Sequence, residues 1–390
     1  MTTMNNASPK IDSKSVWQKL EHPMALYNMI LWSTVALLAS GLVMVASASS
    51  IFSYENFNGN QWAMFERQVV FALIGFLLLL FLIKQDSERL KKYSGIYLAG
   101  VVLMLVAVLV IGSSVNGQKN WIEFGSFIRF QPSEFAKIGI ILYGAKILSG
   151  YESELNLQKR LLNPYATVCF VVFVLIIFEK DLGTGMILMP IMASALWFVG
   201  APLKWFYALG TAFLALIIGL SIAMPYRMAR FTSWLNPTAD AQGTGFQLIH
   251  GQRAMGSGGW LGVGLGGSKE KWGTLPEAHT DFIYAVVGEE VGIVGTLIVL
   301  GLFVAIIFAG LRIARLSDDL FTRLVTLGIV TWIATQAFVN IGAVLGLMPI
   351  TGVPLPLVSY GGSSLIPTLA ALGILLSFAK RHAQFADQVG

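Results

Sequence analysis

Gly266 to Glu290 reads GGSKEKWGTLPEAHTDFIYAVVGEE. A polar loop ends here and an apolar run begins, with Glu277, His279, Thr280 and Asp281 at the seam. Polar groups at the mouth of a membrane segment are costly unless something uses them. The run beyond them is of membrane-spanning length, and similar runs recur along the whole chain of 390 residues. Hydrophobic residues make up 55% of the chain and charged residues 12%, about half the charge of an ordinary soluble protein. An all-α, polytopic membrane protein is expected, with almost no sequence left for a soluble domain.

Ten helical spans are expected, at 26–53, 69–84, 95–114, 132–149, 164–180, 184–200, 204–224, 282–311, 324–347 and 363–380. They form one membrane domain, 26–380, between a cytoplasmic leader, 1–25, and a tail, 381–390. The first run is too long for a signal-peptide core and no cleavage site follows it, so it is read as retained. The single cysteine, Cys169, excludes an intrachain disulfide. The net charge of +5 is spread over short loops, a pattern of membrane orientation and not of nucleic-acid binding. One set of loops, holding Lys84, Arg89, Lys91, Lys92, Lys159, Arg160, Arg312 and Arg315 among others, is the more basic. That bias places both termini in the cytoplasm and Asp281 outside. The outer loops are still basic enough to suggest an anionic partner.

Four stretches outside the spans carry candidate chemistry. Asn116 to Lys137 reads NGQKNWIEFGSFIRFQPSEFAK. Asn116-Gly117 marks a turn, and Trp121, Phe124, Phe127 and Phe130 suit the membrane interface. Pro132 fits a first helical turn, making Glu134 and Lys137 neighbours one turn inside the membrane. Either they neutralise each other and help pack the bundle, or Lys137 with Arg129 faces a cavity that holds an anionic headgroup. Next, Asp181 of DLGTG is placed to cap the following helix.

The long loop, 225–281, opens with PYRMARFTSWLNP, whose Tyr226, Phe231 and Trp234 beside Arg227 and Arg230 resemble an interfacial amphipathic segment. Its glycine-rich part, SGGWLGVGLGGS, lacks the strand a dinucleotide fingerprint needs. Those glycines instead allow close backbone approach. His250 has no metal-ligand spacing, so a hydrogen-bonding role is expected of it. Gly266–Thr280 is expected to be more mobile than the spans, being glycine-rich with few apolar anchors.

Within the spans, Glu289 and Glu290 lie about 12 Å along the helix from Asp281, and at least one is expected to face the bundle interior. Trp332, Gln336 and Asn340 form a polar stripe suited to interhelical hydrogen bonding. Finally, Gly346 to Ser364 reads GLMPITGVPLPLVSYGGSS, and its three prolines prevent a regular helix. Its glycines are expected to expose backbone N–H groups as an anion nest. Ser359 has no paired base and is not read as a nucleophile.

Six blocks resemble the SEDS family (shape, elongation, division and sporulation), most closely its FtsW cell-division branch. They are FQPSEFAK at 130–137, DLGTG at 181–185, GSGGWLGVGLG at 256–266, LPEAHTDF at 275–282, GEEVG at 288–292 and PLPLVSYGGSS at 354–364. The resemblance implies a ten-span bacterial plasma-membrane enzyme at the division septum. Such an enzyme polymerises lipid II into peptidoglycan strands beside a class B penicillin-binding protein and other divisome proteins. It also implies that Asp281 is the essential carboxylate and that Arg129 and Lys137 are the basic pair flanking the QPSE block. Departures from the family pattern are Asn120 in place of Arg, Lys180 in place of Pro, His250 in place of Gln and Thr351 in place of a frequent Lys. Lys119 is the candidate to replace the lost Arg.

On this resemblance Asp281 is the candidate general base for the acceptor hydroxyl, its place at a helix N-terminus favouring the carboxylate. The alternative for Asp281 is a helix cap. Candidate substrate-binding residues are Arg129, Lys137, Glu134, Lys119, Glu277, His279, Ser359 and Ser363. No cofactor is required, although a divalent cation (Mg or Mn) is compatible with the chemistry. A lipid II flippase or transporter and a non-catalytic division scaffold are the rival classes.

Overall fold

The structure, a computed structural model, describes residues 23–115, 118–124, 128–150, 161–223 and 225–389. Residues 1–22 of the expected leader, the Asn116-Gly117 turn, Phe127, Lys159 and Arg160 lie outside the described residues, as do the side chains of Phe124, Tyr226 and Arg227.

The chain runs α1 (Pro23–Ala48), α2 (Ser50–Asn56), α3 (Ala63–Leu82), α4 (Ser87–Ile111), β1 (Ser113–Val115), β2 (Gln118–Phe124), β3 (Ile128–Phe130) and α5 (Pro132–Ser149). After a π-helical turn at Leu161–Ala166 come α6 (Thr167–Phe178), α7 (Leu182–Phe198), α8 (Leu203–Ala223), α9 (Pro225–Leu235) and α10 (Phe246–Ser257). The last helices are α11 (Ile283–Leu316), α12 (Leu320–Val344) and α13 (Gly362–Val389).

Each expected span has a helical counterpart. Among the described residues six helices (α1, α3, α4, α11, α12 and α13) are long and apolar enough to cross a membrane, and three more (α6 to α8) are shorter apolar helices. The first span ends earlier than expected, at Ala48, and the chain restarts as α2. The stretch before α5 is not a simple interfacial segment but a three-stranded antiparallel sheet, β1-β2-β3. Strand alternation turns Ile122 inward and Glu123 outward, with Glu123 opposite Arg129.

The helices sort by what they touch. α12 and α13 are mostly buried and α13 packs along α3 and α1. Leu73, Leu77 and Phe81 of α3, with Leu103 and Val110 of α4, face outward as a lipid-facing surface requires. Because α1 runs towards the long loop and α13 runs away from it, the Pro23 and Val389 ends share the opposite end of the bundle. There Arg381 pairs with Asp86, and His382 Nε2 meets the Leu316 carbonyl at 2.9 Å.

α11 has 34 residues, about 51 Å of helix, longer than a bilayer core of about 30 Å. It breaks at Gly292, where φ is 75° and ψ is −170°. The glycine-rich loop fills the break. The amides of Val263 and Gly264 donate to the carbonyls of Glu289 and Glu290 at 2.9 and 3.1 Å. The amides of Ile293 and Val294 donate to the carbonyls of Gly259 and Trp260 at 2.9 and 3.2 Å.

Both glutamate side chains are buried, as was expected of at least one, and both bind this loop as well. Glu289 accepts from Ser268 Oγ and from the Lys269 amide (2.9 Å). Glu290 accepts from Lys271 Nζ (2.9 Å) and from Ser47 Oγ of α1 (2.7 Å). The expectation that Gly266–Thr280 has few anchors is thereby corrected: Ser268, Lys271, Leu275, Ala278 and His279 are all buried.

A side chain at position 292 would have to hold a left-handed backbone 2.5 Å from the Trp260 carbonyl oxygen. Gly292→Ala is expected to lower stability by about 1–3 kcal/mol, read from thermal unfolding of the purified protein in detergent. An unchanged melting temperature would show that the break relaxes freely.

Candidate active site

The polar stripe of α12 builds the frame. Trp332, Gln336 and Asn340 follow one another at four-residue spacing and so share a face. Trp332 Nε1 donates to Gln336 Oε1 (2.6 Å), and Gln336 Nε2 donates to the Pro354 carbonyl (2.9 Å). Asn340 Nδ2 donates to the carbonyls of both Asp281 and Val353, each at 2.8 Å. The proline-rich segment cannot pair its own carbonyls as a helix would, and α12 supplies the donors.

Ser359 closes the frame from the other side. Its hydroxyl donates to the Thr280 carbonyl (2.7 Å) and accepts from the Leu355 amide (2.8 Å). The amides of Ser359, Tyr360 and Gly361 donate to Leu355 O, His279 O and Gln68 Oε1. These three N–H groups are therefore consumed internally, which corrects the expected anion nest at those positions. The segment's work is to hold the backbone on either side of Asp281.

Asp281 itself is half-buried, one residue before the N-cap of α11, which is Phe282. The carboxylate is thus not the helix cap. It lies against Gly352, whose φ of +74° suits glycine. A methyl placed on Gly352 would sit 3.6 Å from Asp281 Oδ2 and 3.9 Å from Arg230 Nη1. Burial first, and Glu277 beside it, raise the Asp281 pKa from 3.8 to about 7 against the opposing Arg230. Desolvation, the largest of these effects, favours the protonated form, against the preference for the carboxylate expected at a helix N-terminus.

The other candidates divide into those the fold brings near Asp281 and those it does not. Glu277 takes a left-handed φ of 54° and accepts from Thr280 Oγ1 at 2.6 Å. It therefore shapes the turn and adds negative charge beside Asp281. His279 is buried between Phe52 and Tyr360, at ring distances of 4.9 and 5.9 Å. Burial lowers its pKa, opposed by Glu277. Ser363 Oγ donates to the Arg129 carbonyl (3.0 Å) and accepts from the Gln131 amide (3.2 Å), tying β3 to α13. The Arg129 side chain is exposed and pairs with Glu123 at 3.2 Å.

Lys137 and Lys119 are placed differently from the expectation. Lys137 is fully buried, with Nζ 2.8 Å from each Glu134 carboxylate oxygen, 3.0 Å from Gln336 Oε1 and 4.6 Å from the centre of the Trp332 ring. All three of its N–H donors have partners, so the ion-pair alternative is the one adopted. Glu134, not Lys137, reaches the nearby cavity. Lys119 Nζ donates to the Leu109 and Val110 carbonyls at 2.7 and 3.1 Å, drawn to the C-terminus of α4. His250 is held by Glu270 at 2.6 Å.

A cavity of about 100 Å³ opens between these elements, lined by Trp121, Gln131, Glu134, Asp181, Thr184 and Gly352 among others. Asp181 caps α7 as expected, accepting from the Thr184 amide at 3.0 Å. Its other oxygen takes hydrogen bonds from Gln131 Nε2 and Ser133 Oγ, both at 2.8 Å. Gly352 borders both this cavity and Asp281. Among the described residues no three His, Cys, Asp or Glu side chains converge as a metal site. Sequence reasoning assigned Arg230 only to an interfacial segment. A separation of 51 positions from Asp281 leaves no local pattern to connect them, and only the surplus of outer cations pointed that way.

Comparison with known proteins now decides the family. The profile of cell cycle proteins of the FtsW/RodA/SpoVE type matches residues 28–384. The chain belongs to the FtsW/RodA/SpoVE family. Stage V sporulation protein E of Bacillus subtilis is 39% identical over 349 residues, covering 89% of this chain and 95% of that protein. The probable peptidoglycan glycosyltransferase FtsW of Aeromonas salmonicida is 39% identical over 380 residues, covering 96% of each. A chain of a solved peptidoglycan synthase complex that coordinates polymerization and crosslinking superposes with a TM-score of 0.73 at 30% identity, covering 91% of this chain and 98% of that one. The rod shape determining protein RodA of Thermus thermophilus superposes with a TM-score of 0.67 at 28% identity, covering 90% and 96%. One departure of this family member acquires a physical meaning in the structure. Lys180 has a φ of 64°, which a proline ring forbids, so the link before Asp181 takes a path closed to the proline that the resemblance led one to expect.

The raised Asp281 pKa makes a stability prediction. The folded state holds this proton more tightly than the unfolded chain does. The stabilisation is fully present below the ordinary value of 3.8 and is lost as pH rises through about 7. Asp281→Asn cannot ionise, so its melting temperature is expected to exceed that of wild type above neutrality and to match it in acid. Parallel curves for the two proteins from acid to neutral pH would place the carboxylate in water.

Proposed function

We propose that this family member is a peptidoglycan glycosyltransferase that polymerises lipid II. The observation that carries the proposal is Asp281. It is a half-buried carboxylate at the polar end of a membrane bundle, fixed by Asn340 and Ser359 through the backbone on either side of it. A carboxylate with a pKa near neutrality is suited to take a proton at physiological pH.

In the proposed reaction the 4-hydroxyl of the acceptor GlcNAc gives its proton to Asp281. The freed oxygen forms a bond to the anomeric carbon of the donor. The bond from that carbon to the lipid diphosphate breaks, and undecaprenyl diphosphate leaves with the electron pair. The α-linked donor gives a β-linked product by single displacement, so no second nucleophilic carboxylate takes part. Proton transfer of this kind contributes about 10²–10⁴-fold.

The exposed Arg129 and the Arg230 guanidinium beside Asp281 are proposed to meet the diphosphate and offset its developing charge. Lys137 is proposed to act through Glu134, whose carboxylate borders the cavity and whose charge Lys137 neutralises. The remaining candidates serve the same site from its walls: Glu277 and His279 orient the Asp281 turn, while Ser359 and Ser363 hold the loops. A divalent cation (Mg or Mn) would be held by the substrate diphosphate with the exposed Glu277 and would supply charge to the leaving group, Asp281 remaining the base.

The proposed partner is a class B penicillin-binding protein that crosslinks the strands, with other divisome proteins. The proposed location is the bacterial plasma membrane at the division septum, termini inward. Support comes from relatives named as FtsW and from the solved complex that joins polymerization to crosslinking.

The decisive experiment incubates purified protein with lipid II, with and without its transpeptidase partner, and resolves glycan strands on a gel. Wild type is expected to give strands and folded Asp281→Asn none. Strands from Asp281→Asn at a near-normal rate would remove the base assignment, and headgroup translocation without strands would establish the transporter instead. In wild type, kcat/KM is expected to rise with pH through about 7 and then level off, because the ionised form is the base. An acidic limb near the ordinary carboxylate value would mean that burial does not control this group.

The Glu134–Lys137 pair gives a separate test. Lys137→Ala leaves a buried carboxylate unpaired, at a cost of about 3–5 kcal/mol. The Glu134→Ala, Lys137→Ala double variant is expected to regain stability without regaining polymerisation. Full recovery of strand synthesis would reduce the pair to packing.

A further inference from the structure

We propose that the Gly258–Trp272 loop is a membrane wedge, with Trp260, Leu261, Val263, Leu265 and Trp272 seated among bilayer lipids at the end of the bundle that carries Asp281. Four of these are largely exposed: Trp260 at 72%, Leu261 at 78%, Leu265 at 65% and Trp272 at 70%. Singly exposed apolar residues are ordinary. Here five fall within thirteen residues of a loop in which Ser268 and Lys271 turn inward and Lys269 is the charged side chain left exposed. That is the reverse of a loop built for water.

The level of the loop identifies the occupant. Its backbone is hydrogen-bonded to Glu289, Glu290, Ile293 and Val294 of α11. From there the exposed row Ile293, Val294, Leu297 and Ile298 runs on down the span. The loop's apolar surface is therefore continuous with the lipid-facing surface of α11 and begins where that surface begins.

A second observation is independent of exposure. Irregular backbone is tolerated beside hydrocarbon only when its polar groups are satisfied internally. The amides of Gly262, Val263 and Gly264 and the carbonyls of Gly258, Gly259 and Trp260 all have partners within the loop or in α11. A water-exposed loop has no need of such pairing. Tryptophans favour the headgroup level, and the exposed Arg253 before the wedge and Lys269 within it supply charge suited to anionic headgroups. A protein docking on this face would first have to displace lipid.

The test uses the full chain in nanodiscs of phosphatidylglycerol and phosphatidylethanolamine, without any partner. In a Cys169→Ala background, Leu261→Cys and Leu265→Cys receive a nitroxide label, and Ala241→Cys serves as the aqueous control. Labels at 261 and 265 are expected to collide more with oxygen than with a water-soluble nickel complex, and the label at 241 the reverse. Nickel access at 261 and 265 equal to that at 241 would overturn the proposal, and shielding that appears only on adding the transpeptidase would assign the patch to a protein. Should labelling disturb the fold, Trp260→Phe with Trp272→Phe gives a second measurement. That variant is expected to lose part of the tryptophan emission quenched by brominated lipid, and an unchanged quenched fraction would equally overturn the wedge.

Discussion

A backbone that leaves the helix inside or beside a bilayer must find partners for every polar group it frees, and this constraint governs the polar end of the bundle. At the α11 break the loop supplies two amides and two carbonyls, and α11 returns the same. The two strands of chain are therefore held as a unit. Glu289 and Glu290 reinforce it by taking amide, hydroxyl and ammonium donors from residues 268–271. A buried ion pair such as Lys271–Glu290 adds little net stability on its own. Its value here is register, since a loop shifted by one residue would leave a charge without a partner.

The same constraint explains why a membrane helix as apolar as α12 carries Gln336 and Asn340. Each amide group reaches a carbonyl that proline-rich backbone cannot pair by itself. Through Asn340 this scaffolding acquires chemical meaning, because one side-chain nitrogen joins Val353 to Asp281. The carboxylate is held through its own backbone, which leaves its oxygens available beside Gly352 and Arg230. Burial, Glu277 and Arg230 then act on its affinity for a proton.

The sequence disclosed the helices readily, since apolar length and polar punctuation are local properties. Asp181 as a cap and Pro132 at a helix start were legible for the same reason. Legibility failed where long-range partners decide. Lys137 and Lys119 read equally well as free cations or as spent ones, and only the positions of Gln336 and of the α4 carbonyls separate the two. The glycines of 257–268 read correctly as allowing close backbone approach, whereas Gly266–Thr280 read as poorly anchored, because a composition cannot show that Ser268 and Lys271 are taken up by Glu289 and Glu290 some 20 residues later. The small sheet at 113–130 was hidden by aromatic residues that suit an interface and a strand alike. Asp281 was found through its motif, whereas Arg230 became visible only in three dimensions.

The partners of Asp281 come late in the chain. Arg230 precedes it, but Asn340, Gly352, Val353 and Ser359 all follow, and β3 is fastened only by Ser363 of the final helix. During synthesis the carboxylate therefore enters the membrane long before its surroundings exist. A chain cut short after α11 would carry the Asp281 carboxylate without the frame that holds it. The frame around Asp281 is thus complete only once the last helix of the chain is in place.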